Sequence, residues 1–208
     1  MPNWVLNKVY FSGNKKDIER LKKFVKSEER SFDFQNIIPM PEELNIISGS
    51  DEHVAVNCAK ARRAGETTCS DFEKDWVKDR MSFTQWADLG ERYLYNFEKY
   101  GATTWYDWCC NNWGTKWNAS EPIWYGDNMV SFDTAWSAPY PIYEELAKKF
   151  PGVDIDIDYA DEDLGSNCGQ ITCRDGACEC DEPNDPFEFA CDVWGYDVDE
   201  MREEYEGV

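Results

Sequence analysis

The chain has 208 residues, 42% of them hydrophobic and 15% aromatic, which is enough for one sizeable core and too apolar for disorder throughout. Forty-two acidic side chains against twenty-one basic ones give a net charge of -21, which argues against direct binding to a nucleic-acid phosphate backbone. No apolar run approaches the ~20 residues of a membrane span and no signal peptide is evident, so a soluble cytoplasmic protein without a membrane partner is expected.

Trp4 to Ser12, WVLNKVYFS, is rich in β-branched and aromatic residues and stops at Gly13. It reads as a strand with apolar side chains on both faces, hence a central one. Asn14 is placed to cap a helix over 14–27, with Ile18, Leu21, Phe24 and Val25 at helical spacing and five lysines on the other face. In FDFQNIIPMPEELN, Pro39 and Pro41 oppose a regular helix and favour an extended segment laid over the core. The next thirty residues hold the single histidine, His53, with Cys58 and Cys69, and are expected to form short helices.

Phe83, Trp86, Leu89, Tyr93, Phe97 and Tyr100 recur in steps of three and four, predicting an amphipathic helix over 82–100 that ends at Gly101. Four tryptophans follow within TTWYDWCCNNWGTKWNA: Trp105, Trp108, Trp113 and Trp117. Thr104 is a candidate cap, Asp107 sits at the capping-box position, and Gly114 is the expected left-handed stop. Lys116–Tyr125 and Asn128–Trp136 flank Gly126-Asp127 as a β-hairpin whose first strand Pro122 should bulge or hold at an edge. Pro139 opens a helix reaching Phe150. Then Val153, Ile155, Ile157 and Tyr159 alternate with Asp154, Asp156 and Asp158, a half-buried strand whose other face is a row of carboxylates. Asn167 to Asp181 should form one more hairpin about Asp175-Gly176, followed by two short helices, one opened by Asp185-Pro186 and stopped at Gly195, the other starting at Asp197.

The expected fold is therefore α+β: a ferredoxin-like (split βαβ) antiparallel sheet from 1–30 and 113–161, a large helical insertion over 31–112, and an extra C-terminal hairpin and helices over 162–208. Helices 14–27 and 139–150 belong on one face of the sheet, leaving the other face for helices 82–113. MPNW, FDFQNIIPMPEEL, WYDWCCNNWGTKWNA, DYADEDLGSNCG and VWGYD together resemble the YubB-like family of phage and plasmid proteins. The resemblance implies a ferredoxin-like domain, a mobile-element origin and no catalytic residues to carry over.

Three groups of residues invite a site. The alternating aspartates of 154–158 fail as a calcium-binding loop, because that loop needs Gly sixth and Glu twelfth where this chain has Tyr159 and Gly165. A charged solvent face of an edge strand is the expected reading, with Asp161, Glu162 and Asp163 extending it. Cys168, Cys173, Cys178 and Cys180 lack paired CxxC knuckles. A two-residue turn would set Cys173 opposite Cys178 and Cys180 opposite Ile171. An odd total of nine cysteines favours free thiols over a disulfide framework. Trp105, Trp113 and Trp117, with Gly114, are expected to be structural and largely buried, since a stacking platform for single-stranded nucleic acid needs a basic groove.

No GxSxG, phosphate-binding loop or histidine cluster is present, so no catalytic residue and no cofactor are expected. Residues 151–208 carry nineteen acidic side chains and two basic ones, Arg174 and Arg202. The expected function is a non-enzymatic accessory protein of a mobile element, with Asp154, Asp156, Asp158, Asp161, Glu162 and Asp163 binding a basic host protein. Its sharpest form is a DNA-mimicking inhibitor of a nucleic-acid-binding defence component. The alternative is a small metal-binding protein or metal-dependent enzyme built on the cysteine hairpin or the aspartate strand.

Overall fold

Strand β1, Trp4–Gly13, alternates strictly: Val5, Asn7, Val9 and Phe11 are buried, while Trp4, Leu6, Lys8 and Tyr10 are half-exposed. A computed structural model describes residues 2–206; Met1 of the opening MPNW lies outside them. The chain divides into two compact units, Met1–Pro39 with Cys109–Val208, and Met40–Trp108.

In the first unit β1 is joined by β2 (Ser120–Tyr125), β3 (Met129–Ala135), β4 (Val153–Asp161), β5 (Cys168–Arg174) and β6 (Ala177–Asp181). The sheet order is β2-β3-β1-β4-β5-β6 with antiparallel neighbours throughout. Its first four positions are the ferredoxin-like arrangement, and β5 and β6 extend it past β4. The strand carrying the aspartate row is thus internal, paired with β1 and β5, and not the edge strand its charge suggested. β2 does lie at an edge, and its register shifts between Ser120 and Ile123, where Glu121 takes a positive φ of 47° beside Pro122.

Helices α1 (Lys15–Val25) and α7 (Tyr140–Lys149) cover one face of the sheet and touch through Phe24 and Phe150, 5.6 Å apart. Asn14 caps α1 by accepting from the Lys16 amide. The FDF segment also belongs to this core. Phe32 stacks on Phe132 at 5.0 Å, and Phe34 meets both Phe132 and Trp113 edge-on. Where an extended run was expected, Asp33 caps a four-residue helix, α2 (Phe34–Ile37), by accepting from the Gln35 amide. The short cap acts before Pro39 can forbid the turn.

One polar group lies deep in this face. The Asn7 side chain, fully buried, donates to Val5 O at 2.9 Å and Thr134 Oγ1 at 2.8 Å, and accepts from Tyr143 Oη at 2.8 Å. Thr134 passes the chain on to Ser137 O at 2.8 Å. Two neighbouring strands and α7 are therefore tied by one continuous set of hydrogen bonds.

The opposite face is covered at one end by α8 (Pro186–Trp194) and α9 (Val198–Glu206), through a cluster of Ala160, Leu164, Ala190, Cys191 and Val193 with Leu6 and Cys168 beside it. Asp185 caps α8 and Gly195, at φ 78°, ends it, as expected from the sequence.

The second unit holds α3 (Glu52–Arg63), α4 (Asp75–Arg80) and α5 (Phe83–Tyr100). α3 is longer than the short helices expected there. It pairs with α5 around Gly90, where an added Cβ would fall 1.9 Å from Ala55 O and 2.9 Å from the Ala59 Cβ. Only glycine allows that approach. Ser82 and Gln85 close a capping box on α5, and Trp86 Nε1 donates to Val77 O at 3.0 Å inside a core of Ile46, Val54, Ala55, Cys58 and Tyr93. Among the described residues no helix is long and apolar enough to cross a membrane.

The tryptophan-rich stretch contains α6 (Trp105–Asn112), and Gly114 follows at φ 75°. Trp113 is 4% exposed and donates from Nε1 to Ile38 O at 2.8 Å. Trp105 and Trp117 are partly buried, less enclosed than Trp113, and Trp108 is buried as well. Trp117 lies 5.8 Å from Trp4 with the Lys116 ammonium 4.4 Å over its ring, so its indole is half covered by a side chain that itself meets water. Replacing Trp113 by Ala should cost about 3–5 kcal/mol in urea unfolding, the range for emptying a large aromatic site. Unfolding identical to wild type would place this ring at a surface instead.

Candidate functional site

Alternation along β4 sends Val153, Ile155 and Ile157 into the core and Asp154, Asp156 and Asp158 to the other face. There Ser12, Tyr10 and Lys8 of β1 stand directly opposite Asp154, Asp156 and Asp158. Arg174, at the end of β5, reaches back across the strands: Nη2 lies 2.6 Å from Asp156 Oδ1 and Nε 3.6 Å from Asp154 Oδ2. Asp158 accepts from Gln170 Nε2 at 2.7 Å. The row is thus engaged within the sheet. Burial, and then the Asp158 charge, push the Tyr10 hydroxyl above its ordinary pKa.

The three acidic residues after the row have different environments. Asp161 is buried, accepting from Asn3 Nδ2 at 3.1 Å, the Asp163 amide at 2.9 Å and Asn167 Nδ2 at 3.3 Å, so it holds the β4–β5 turn and is not presented to solvent. Glu162 is exposed and accepts from the Trp4 amide at 3.2 Å. Asp163 is exposed.

The larger acidic surface lies beyond these residues. Glu179, Asp181 and Glu182 at the end of the last hairpin, with Glu188, Asp192 and Glu203 on α8 and α9, are exposed, and among the described residues none of the six has a basic partner. Both arginines of this quarter are committed, Arg174 as above and Arg202 to Asp185 at 2.9 Å. Tyr196 and Tyr205 stand exposed among these carboxylates, Tyr205 meeting Phe187 edge-on at 5.5 Å. Sequence counting located the charge; it did not show that the hairpin end, α8 and α9 carry these six carboxylates away from both arginines.

The cysteine hairpin departs from expectation in one respect. The register is as expected, Cys173 opposite Cys178 and Ile171 opposite Cys180. Cys173 and Cys178, however, are joined as a disulfide, where free thiols were expected. Pairing directly across the hairpin sets the two side chains side by side, within reach of each other. Four separate thiolates are therefore not on offer. Cys168 is half-exposed and its thiol donates to Pro186 O at 3.4 Å; Cys180 is exposed. Among the described residues no group of three or more His, Cys, Asp or Glu side chains is placed to hold a metal ion.

One carboxylate was missed in the sequence. Asp133, on β3 opposite both Leu6 and Ser120, is raised above its ordinary pKa by burial first and then by the charges of Glu121 and Glu162. Its only sequence signal was a charged residue in a strand of otherwise small or apolar neighbours. The folded chain holds the Asp133 proton more tightly than the unfolded chain. Its contribution to stability is thus full below the ordinary value of 3.8 and lost as pH rises through the raised one. Asp133→Asn should melt above wild type at pH 7, with the gap closing below pH 3.8 in thermal melts. A gap unchanged with pH, or reproduced by Asp192→Asn at the surface, would contradict this assignment.

Residues 112–206 match the family described as ferredoxin-like domain in Api92-like protein. The family description and the observed strand order agree on the fold. The crystal structure of a protein api92 from Yersinia pseudotuberculosis is similar at 12% identity and a TM-score of 0.47, covering 88% of this chain and 99% of that one. No curated protein matches the sequence.

Proposed function

We propose that this ferredoxin-like protein is a non-enzymatic binding protein that offers the acidic surface of its C-terminal hairpin and helices to a basic partner protein. The observation that carries the reading is that, among the described residues, Glu179, Asp181, Glu182, Glu188, Asp192 and Glu203 have no basic partner, in a quarter of the chain whose two arginines are both spent on other carboxylates. Uncompensated charge of one sign lowers stability through self-repulsion, and it speeds encounter with a surface of the opposite sign. The exposed rings of Tyr196 and Tyr205 add contact area of the kind that anchors protein interfaces.

Asp154 and Asp156, as the anchors of Arg174, and Asp158, held by Gln170, join this surface at its margin, with Glu162 and Asp163 beside them. In the sharpest form of the reading the protein acts for a mobile element, and the partner is a nucleic-acid-binding component of host defence whose basic groove accepts the carboxylates in place of phosphates. Such a pairing would be strongly salt-dependent.

Capture from host lysate at about 0.05 M and 0.5 M salt tests it, using wild type and a variant carrying Glu188→Gln, Asp192→Asn and Glu203→Gln. A basic protein should be retained by wild type at low salt and released at high salt, and the variant should retain roughly a tenth as much or less. Neutralising Asp75, Asp79 and Glu98 instead should leave capture intact. No basic protein at low salt, or equal capture by both acidic variants, would overturn the proposal.

A further inference from the structure

Cys58 lies on the buried face of α3, and Cys69 lies eleven residues on, in the connection between α3 and α4. Their sulfurs are 3.3 Å apart. A disulfide needs about 2.05 Å, so closure asks for a movement of little more than an ångström from two side chains already in contact.

The surroundings hold the pair in place and make its members unequal. Asp71, two residues after Cys69, accepts from Asn57 Nδ2 at 2.7 Å and from Lys74 Nζ at 2.8 Å, which pins the connection to the helix beside Cys58. Cys58 is fully buried with Val54, Ala55 and Val77 around it, whereas Cys69 is partly open to solvent. Burial, the hydrogen bond with Cys69 and the charges of Cys69 and Asp71 push the Cys58 thiol up to about 12. A reagent from solution can therefore reach Cys69, and Cys58 is reached through Cys69.

We propose that Cys69 and Cys58 form a site of reversible thiol modification whose substrates are low-molecular-weight disulfides of the glutathione type. The Cys69 thiolate attacks one sulfur of the oxidised disulfide, forming a mixed disulfide and expelling one small thiolate, which takes up the proton that Cys69 lost. Cys58 Sγ then attacks Cys69 Sγ and passes its own proton to the second small thiolate as that leaves. Two protein thiols are oxidised to one disulfide, and one small disulfide is reduced to two thiols. The product adds a covalent tie between the connection ahead of α4 and α3, beside the hydrogen bond of Asp71 to Asn57 and the packing of Phe72 on the core.

The test uses the full-length protein and oxidised glutathione. After exposure, free thiols are alkylated under denaturing conditions and the chain is cut with trypsin, which cleaves at Lys60, Arg62 and Arg63 between the two cysteines. Peptides containing Cys58 and Cys69 should emerge joined, and should separate on reduction. The oxidised protein should melt roughly 5–10 °C above the reduced one. Cys58→Ala should stop at one glutathione on Cys69, and Cys69→Ser should leave Cys58 unmodified. Alkylated thiols at both positions in the exposed wild type, or glutathione retained on Cys69 without transfer to Cys58, would overturn the proposal, and both are read on wild type whatever the variants do.

Discussion

The amide of Asn7 is the constraint on which the ferredoxin-like unit depends. It is a fully buried polar group on a central strand, and such a group destabilises the chain by about 1–3 kcal/mol if its partners are missing. All of its partners come from defined places: Val5 on its own strand, Phe132 and Thr134 on β3, and Tyr143 on α7. Tyr143 is itself buried, and burial holds its hydroxyl well above the ordinary tyrosine pKa, so it acts as a neutral donor. Only one strand register and one seat for α7 satisfy the whole set.

That register sorts the chemistry of the sheet. A slip of one residue in β4 would turn Ile155 and Ile157 outward and drive Asp154, Asp156 and Asp158 into the core. With the register held, the carboxylates lie on the face away from α1 and α7, where Arg174 and Gln170 can meet them from β5. A cation of α7 lies on the opposite side of the sheet from the carboxylates. Lys149 sits 4.3 Å over the Phe24 ring on the side of α1 and α7, while the unpaired acids gather on the hairpin, α8 and α9. The charge asymmetry of the chain thus becomes an asymmetry of the fold.

Much of this was legible, and the failures have identifiable causes. β1 and β4 were readable because one is apolar on both faces and the other alternates with period two. Gly114 and Gly195 were readable because a left-handed helix end favours glycine. α3 was not, since the residues it packs against Gly90 are Ala55 and Ala59, side chains too small to give a strong hydrophobic period. Asn7 was passed over as one polar residue in an apolar strand; nothing in its neighbours reveals Tyr143, more than a hundred residues away. The pairing of Cys173 with Cys178 was visible in the hairpin register, but an argument from the redox compartment outweighed it. How far Trp105, Trp108 and Trp117 are each enclosed depends on tertiary surroundings that spacing alone does not report.

A double-mutant cycle between Asn7→Ala and Tyr143→Phe, read by urea unfolding, reaches the central claim most directly. If the Asn7 network ties β1, β3 and α7 into one register, the two changes should be strongly non-additive, with a coupling of roughly 1–3 kcal/mol. Additivity within about 0.3 kcal/mol would show the two groups to be independent and would contradict the account.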